Sequence, residues 1–530
     1  MISALCWVRK GVAQQQPDKY ELDEKEYERI KKLAKEHLED AEQDLEEAQA
    51  EAKDKEAKPS NKESKDSNED SELSIYNLDD YDDEPATAEK FSVFSNIKGL
   101  SYFASNEEDP YVTLKKDEDS DNEDTQIMPT DNLLLAAKTE DDISHLEAYV
   151  YEESEDNLYV HHDFMLPAFP LCVEWLDFRV GRKAHLEGSG NYVAVGTFEP
   201  EIEIWDLDTI DAMYPDAILG DSTSEPTEEA ANKSSTKKKK KKKKKGPNPN
   251  CHTDAVMSLS WNRNHRNLLA SSSADTTVKL WDLTTLKCAR SFEHHKDKVQ
   301  CVQWNPVEAT VMLTASYDKT VAAFDSRAPE SVSSWKLSAD PECVRWDPFA
   351  PESFFVSTEL GLVHKYDARN MAGGPIFTLH AHDSPVSALD ISPLVSGCLV
   401  TGSGDKTVKI WDLKDNKPSM VLSRDLGVGK VFSAAFCPDS PFQLALAGSK
   451  GHVQIWDISS NAGVRRAFDG RGVQLPEVTE KAPVGLPYDP NEEEEEDDDE
   501  EANGAENGAA QEMDDDEEEE DEEEDDEMDM

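Results

Sequence analysis

Three times in this chain a histidine is followed, at near-constant spacing, by a hydroxyl residue and an aspartate: His252, Ser272 and Asp275; His295, Thr314 and Asp318; His382, Thr401 and Asp405. Imidazole, hydroxyl and carboxylate are the parts of a nucleophilic hydrolase. Each set is also followed by an aromatic six residues beyond the aspartate, namely Trp281, Phe324 and Trp411. A catalytic triad has no reason to occur three times. A hydrogen-bonded tetrad that satisfies buried polar groups between a loop and a strand does, because it recurs with the unit that contains it. The repetition predicts structural tetrads and no catalytic residue.

Other chemistry-bearing residues carry less. His161-His162-Asp163 and His294-His295 invite a metal reading. Neighbours in a strand point to opposite faces, so adjacent histidines are not expected to share an ion. The sequence GVGK at 427–430 lacks the spacing of a phosphate-wrapping P-loop. Eight cysteines (6, 172, 251, 288, 301, 343, 398 and 437) are scattered without a CxxC pair, and read as reduced core thiols of a cytosolic or nuclear protein. Neither metal nor cofactor is expected.

The elements that position these residues follow from an internal period. Aromatic-Asp pairs close short β-rich runs at Trp205, Trp281, Phe324, Tyr366, Trp411 and Trp456, in steps of 76, 43, 42, 45 and 45. A second series, Trp175, Trp261, Trp304, Trp346, Ile391 and Phe436, steps by 86, 43, 42, 45 and 45. The long first step contains a lysine-rich insert. A period of about 40–45 with four short strands per unit is that of a β-propeller. One small sheet cannot bury both its faces, so such units pack around an axis.

Six units are plain and the seventh is split. LLLAA (133–137), LEAYVYE (146–152) and NLYVHHD (157–163) supply three strands, with Tyr151 in the aromatic position. The missing first strand matches SALCWVR (3–9), with Trp7 in the aromatic slot. The expectation is an all-β, seven-bladed WD-repeat propeller whose ring closure is tied down by the first residues.

The predicted organisation is a first strand of blade one over 1–12 and an acidic insertion over 13–130. The propeller proper covers 131–470, with a Lys-rich loop at about 221–250, then a linker over 471–491 and an acidic tail over 492–530. Net charge is −59, of which the tail contributes −27 and residues 14–124 contribute −21. The remainder is a domain of ordinary charge, and general nucleic-acid affinity is not expected. No apolar run reaches the roughly 20 residues of a membrane span, nor the first residues the apolar core of a secretory signal.

The attached segments have their own readings. Apolar positions Leu22, Ile30, Leu33, Leu38, Ala41, Leu45 and Ala48 predict an amphipathic helix over about 18–53, packed on the propeller or docked into a partner. The aromatic-rich stretches 76–84, 91–103 and 109–114 are too apolar for a spacer and are expected along the propeller surface or on an assembly partner. Ser67, Ser105 and Ser120 each precede an acidic residue by three positions, the pattern of acid-directed phosphorylation. The run Lys237, Lys238, Lys239, Lys240, Lys241, Lys242, Lys243, Lys244 and Lys245 reads as a nuclear or nucleolar address with RNA phosphate contact as a second use. The tail reads as a solubilising segment or a lure for basic clients such as histones, weakening as salt rises.

Taken together, ALCWVRKGVA at 4–13, DPYVTL at 109–114, YVHHD at 159–163, VEWLDF at 173–178, the tryptophan spacing and the lysine run resemble the periodic tryptophan protein family, over residues 1 to about 470. The acidic tail is not carried over from that family. The resemblance implies a non-enzymatic scaffold in the nucleus and nucleolus that assists ribosome biogenesis, in rRNA processing and large-subunit pre-ribosome assembly. Its implied partners are proteins of pre-ribosomal particles and ribosomal RNA within them, with no membrane and no small-molecule substrate. Two alternatives stand beside it. One is a chromatin or histone-binding factor acting through the acidic tail. The other is a substrate receptor of a cullin-type ubiquitin ligase, on the aromatic-Asp-x-Arg patterns that end in Arg327 and Arg369.

Overall fold

Burial on both faces separates the inner strands of this chain from the outer ones. Runs such as Tyr192–Thr197 and Gln443–Gly448 are buried at every position, because each lies between two neighbouring sheets. Outer runs such as Asn157–Leu166 alternate buried with exposed, one face on a neighbour and one in solvent. The computed structural model describes residues 1–20, 125–141, 143–186, 188–220, 248, 250–371, 373–471 and 484–485.

Seven four-stranded antiparallel sheets result. Their innermost strands are Ile2–Val8, Pro170–Leu176, Val256–Trp261, Val299–Trp304, Pro341–Asp347, Ala388–Ile391 and Val431–Phe436. Each of these touches the next, and the seventh touches the first, so the sheets close into a ring of blades. The split first blade is as expected: Ile2–Val8 pairs with Asn132–Glu140, which continues through Ile143–Glu152 to Asn157–Leu166.

Ring closure is made by contact between blades and not by strand exchange. Trp7 Nε1 donates to the Ala435 carbonyl at 2.9 Å, and Leu5 N–H to Ser433 Oγ at 3.2 Å. Around them Ile2, Leu5, Trp7 and Leu134 share a buried cluster with Cys437, Ala445 and Ile455. The turn joining second and third strands carries a left-handed residue at the same period: Thr276, Lys319, Gly361, Lys406 and Gly451. At Gly361 a side chain is excluded twice over, since a Cβ there would overlap the His382 carbonyl.

Three boundaries differ from expectation. Asp18–Lys19 is extended, paired in parallel with Thr209–Ile210 of blade 2, so a helix starting at 18 is corrected; residues 21–53 lie outside the described residues. Gln14 N–H and Asp18 N–H both donate to Asp208, at 3.0 Å and 2.8 Å, and Ile127 N–H returns to the Gln15 carbonyl at 3.0 Å. Both ends of the insertion are therefore folded onto the propeller, because their backbone groups find partners there. The propeller also outruns residue 470. Helix α1, Ala462–Phe468, buries Val464 and Phe468, and Val484–Gly485 adds the outer strand of blade 7. The described residues fall within one compact unit, and Pro487–Met530 lies outside them.

Candidate functional site

The histidine sets are built alike. In blade 6, His382 Nδ1 lies 2.8 Å from Asp405 Oδ2, His382 Nε2 lies 2.9 Å from Thr401 Oγ1, and Trp411 Nε1 donates to that hydroxyl at 2.9 Å. A carboxylate only accepts, so Nδ1 carries the proton and Nε2 accepts from the threonine O–H. In blade 4, His295 meets Asp318 at 3.2 Å and Thr314 at 2.8 Å. Phe324 has no N–H to offer there, and the Thr314 hydroxyl lies 3.3 Å from the Ala322 carbonyl.

Blade 3 corrects one residue. His252 Nε2 pairs with Ser271 Oγ at 2.7 Å, and Trp281 Nε1 donates to the same Oγ at 2.8 Å. Ser272 is not in the tetrad; its buried hydroxyl has no hydrogen-bond partner. Adjacent residues of a strand face opposite sides, so only one of the two serines can face the histidine. The spacing of 19 in the other blades selects Ser271. Asp275 completes the set at 3.0 Å from His252 Nδ1.

The electrostatics fit fastening, not turnover. Burial pushes the His252, His295 and His382 imidazoles down, so they stay neutral. Burial alone would raise Asp275, but His252, the Thr277 hydroxyl and the Thr253 amide together hold it well below the carboxylate range. Ser271, Thr314 and Thr401 are wholly buried, and in blades 3 and 6 the hydroxyl oxygen already accepts from an indole. The nucleophile position is occupied by internal bonds.

A second constellation links blades 2 to 7, built in blades 2 to 6 from the residue before the aromatic of the innermost strand, or before Ile391 in blade 6. Trp261 N–H donates to Glu174 Oε1 at 3.2 Å, Trp304 N–H to Ser260 Oγ at 3.1 Å, and Trp346 N–H to Gln303 Oε1 at 2.7 Å. Phe436 N–H donates to Asp390 Oδ2 at 2.8 Å, and Arg345 Nε reaches Asp390 Oδ1 at 3.4 Å. Each of these side chains reaches into the next blade, so together they form a polar belt. Burial raises both carboxyls, against the pull of Arg263 and then Arg345 on Glu174 and of Arg345 on Asp390.

The remaining candidates are spread over the surface. Arg327 forks onto Asp325 and Arg369 onto Asp367, each within its own turn, with both arginines about 70% exposed. His161 and His162 do come together, contrary to the alternation argument. A bulge at His161 sets their Nδ1 atoms 2.7 Å apart, and His162 is pushed down to about 3 by burial. Among the described residues no group of three or more His, Cys, Asp or Glu is placed to hold a metal ion, and no helix is long and apolar enough to cross a membrane. Val307, Phe349 and Leu394 stand 62%, 48% and 38% exposed on the loops that leave the innermost strands of blades 4, 5 and 6. Those strands run in one sense, so the three loops share one face. The lysines 237–245, Ser67, Ser105, Ser120, the aromatic stretches 76–114 and the acidic tail lie outside the described residues.

Seven four-stranded blades, three of them fastened by a His-Ser/Thr-Asp set that a Trp completes in blades 3 and 6, define a WD-repeat β-propeller. The WD domain, G-beta repeat family model matches residues 246–282, 286–325, 373–412 and 421–457. Over 91% of its length the chain is 48% identical to an uncharacterized WD repeat-containing protein of Schizosaccharomyces pombe, spanning 93% of that protein. It is 38% identical to periodic tryptophan protein 1 of Saccharomyces cerevisiae, with 88% of this chain and 90% of that one covered. It is 32% identical to the periodic tryptophan protein 1 homolog of Drosophila melanogaster, with 88% and 96% covered. The chain belongs to the periodic tryptophan protein 1 family.

Proposed function

We propose that this chain is a non-enzymatic scaffold of ribosome biogenesis, acting in the nucleolus on rRNA processing and large-subunit pre-ribosome assembly. The observation that carries the non-enzymatic reading is the burial of every tetrad hydroxyl. The side chains with hydrolase chemistry are spent on joining loops to strands. A rigid ring leaves its loops free to vary and to meet several partners at once. The ribosomal role rests on the family resemblance, with proteins of pre-ribosomal particles as partners. Lys237–Lys245 supply the nucleolar address in this reading, and rRNA within the particle is a further contact.

The experiment is affinity purification of the tagged full-length protein from nuclear extract, followed by gradient sedimentation and sequencing of RNA in the heavy fractions. The expected result is co-sedimentation with large-subunit precursor RNA and ribosomal proteins. Recovery with histones and without precursor RNA would overturn the ribosomal role in favour of a chromatin factor.

A further inference from the structure

Where loops leave the innermost strands of blades 3 and 4, an open cleft of about 570 Å³ lies at the seam between the two blades. That is room for a few side chains. Its floor is aliphatic: Leu268 and Leu280 of the second and third strands of blade 3, with exposed Ala289 of the outer strand Lys287–Phe292 beside them. Three of the side chains that line it are basic, His265, Arg290 and Arg327, and none is acidic. Arg290 stands opposite Leu280 in the strand pairing, crosses the seam, and donates from Nη1 to the Ser326 carbonyl at 2.6 Å. Ser326 is bonded to Arg327, so guanidinium groups from two blades are brought to one turn of the chain.

Neither arginine belongs to a tetrad or to the belt. The carboxylates beside the cleft are committed within their own turns. Asp325 accepts from Arg327 Nη2 at 2.7 Å and from Thr310 Oγ1 at 3.2 Å. Asp282 accepts from Asn267 Nδ2 at 3.2 Å and from Thr285 Oγ1 at 2.9 Å. Among the described residues Arg290 has no carboxylate partner; besides Ser326 it meets the Phe292 ring, 5.9 Å from the centroid. Guanidinium groups held in place in this way offer forked donors to an incoming carboxylate. The aliphatic floor beside them offers apolar surface to cover. A nucleic-acid strand would answer the cations alone, since its bases stack on planar groups and the floor has none.

We propose that this cleft docks an extended segment of a partner protein in which an aliphatic side chain stands among aspartates or glutamates. The aliphatic side chain covers Leu268, Leu280 and Ala289, and the acidic side chains near it take Arg290 and Arg327. Exposed His265 is placed to meet a further carboxylate. A contact of this size is weak and exchangeable on its own, and gains its strength as one anchor of a larger assembly. Its chemistry is the same whichever particle the partner belongs to.

The test uses the full-length protein and a fluorescein-labelled synthetic peptide of single leucines set among aspartates and glutamates, followed by fluorescence anisotropy at about 150 mM salt. Binding should saturate below about 1 mM peptide. Arg290→Ala and Arg327→Ala should each weaken it by about five- to ten-fold. Ala289→Trp leaves both cations in place and fills the cleft, and should weaken it by a similar factor. All three positions are exposed, so each variant should keep the wild-type melting temperature, which separates folding from docking. A peptide with serine for leucine should bind several-fold more weakly. Binding that survives all three variants, as capture by the lysine run 237–245 would, overturns the proposal. So does a failure to saturate by about 1 mM. Tighter binding of an oligouridylate, lost in the same arginine variants, would also overturn it and make the cleft a phosphate site.

Discussion

Trp261 N–H and Glu174 Oε1 meet 3.2 Å apart across the seam between blades 2 and 3. The innermost strand of each blade is laid against its neighbour without a backbone ladder between them, so its amides need side-chain acceptors from next door. Glu174→Ala should leave a buried N–H unpaired and cost about 1–3 kcal/mol in denaturant unfolding. Glu174→Gln keeps an acceptor and removes a buried charge, and should be near neutral at pH 7.5. Equal losses in both variants would show that the charge, not the acceptor, is what the seam uses.

The tetrad of blade 3 gives a sharper contrast. Ser271→Ala strands the His252 Nε2 acceptor and the Trp281 N–H donor, and should cost about 2 kcal/mol or more. Ser272→Ala removes a hydroxyl that has no partner, and should be neutral or slightly stabilising. Thermal unfolding of the two variants side by side checks this, and the reverse order would restore Ser272 to the tetrad.

The apolar loops bear on partner binding. Val307, Phe349 and Leu394 cover little of the core, so changing all three to Ser should leave the melting temperature within about 2 °C of wild type. If this face carries pre-ribosomal proteins, the same variant should sediment in the light fractions. Unchanged co-sedimentation would move the contact to the opposite face or the rim.

Blade number and tetrad placement were legible because one letter repeats: Trp or its aromatic substitute, and His. The split blade was legible because Trp7 carries the same mark as Trp175. Ser271 was not separated from Ser272, since three serines stand in a row at 271–273 and the spacing of 19 from the histidine, the one mark in the sequence that tells them apart, was not applied. The belt left no repeated letter. Glu174, Ser260, Gln303 and Asp390 share only the capacity to accept a hydrogen bond, and a common role filled by different residue types is invisible to a period search. The contact between His161 and His162 was missed for a related reason, because a bulge breaks the alternation on which the argument stood.

Glu203 offers a test of buried charge that needs no partner. It lies in the third strand of blade 2, where burial pushes its carboxyl up to about 7 although Trp205 Nε1 donates to it at 3.2 Å. A folded-state value above the unfolded 4.5 means that the folded protein holds this proton more tightly. The stability it contributes is therefore full below about pH 4.5 and is lost as pH rises through 7, by roughly 3 kcal/mol in all. Glu203→Gln keeps an acceptor for Trp205 and has no proton to lose. The variant should match wild type most closely at pH 5.5 and exceed it at pH 8, by about 2 kcal/mol in denaturant unfolding. A gap of the same size at both pH values would mean that the substitution acts through packing, and that Glu203 is charged in the folded protein throughout.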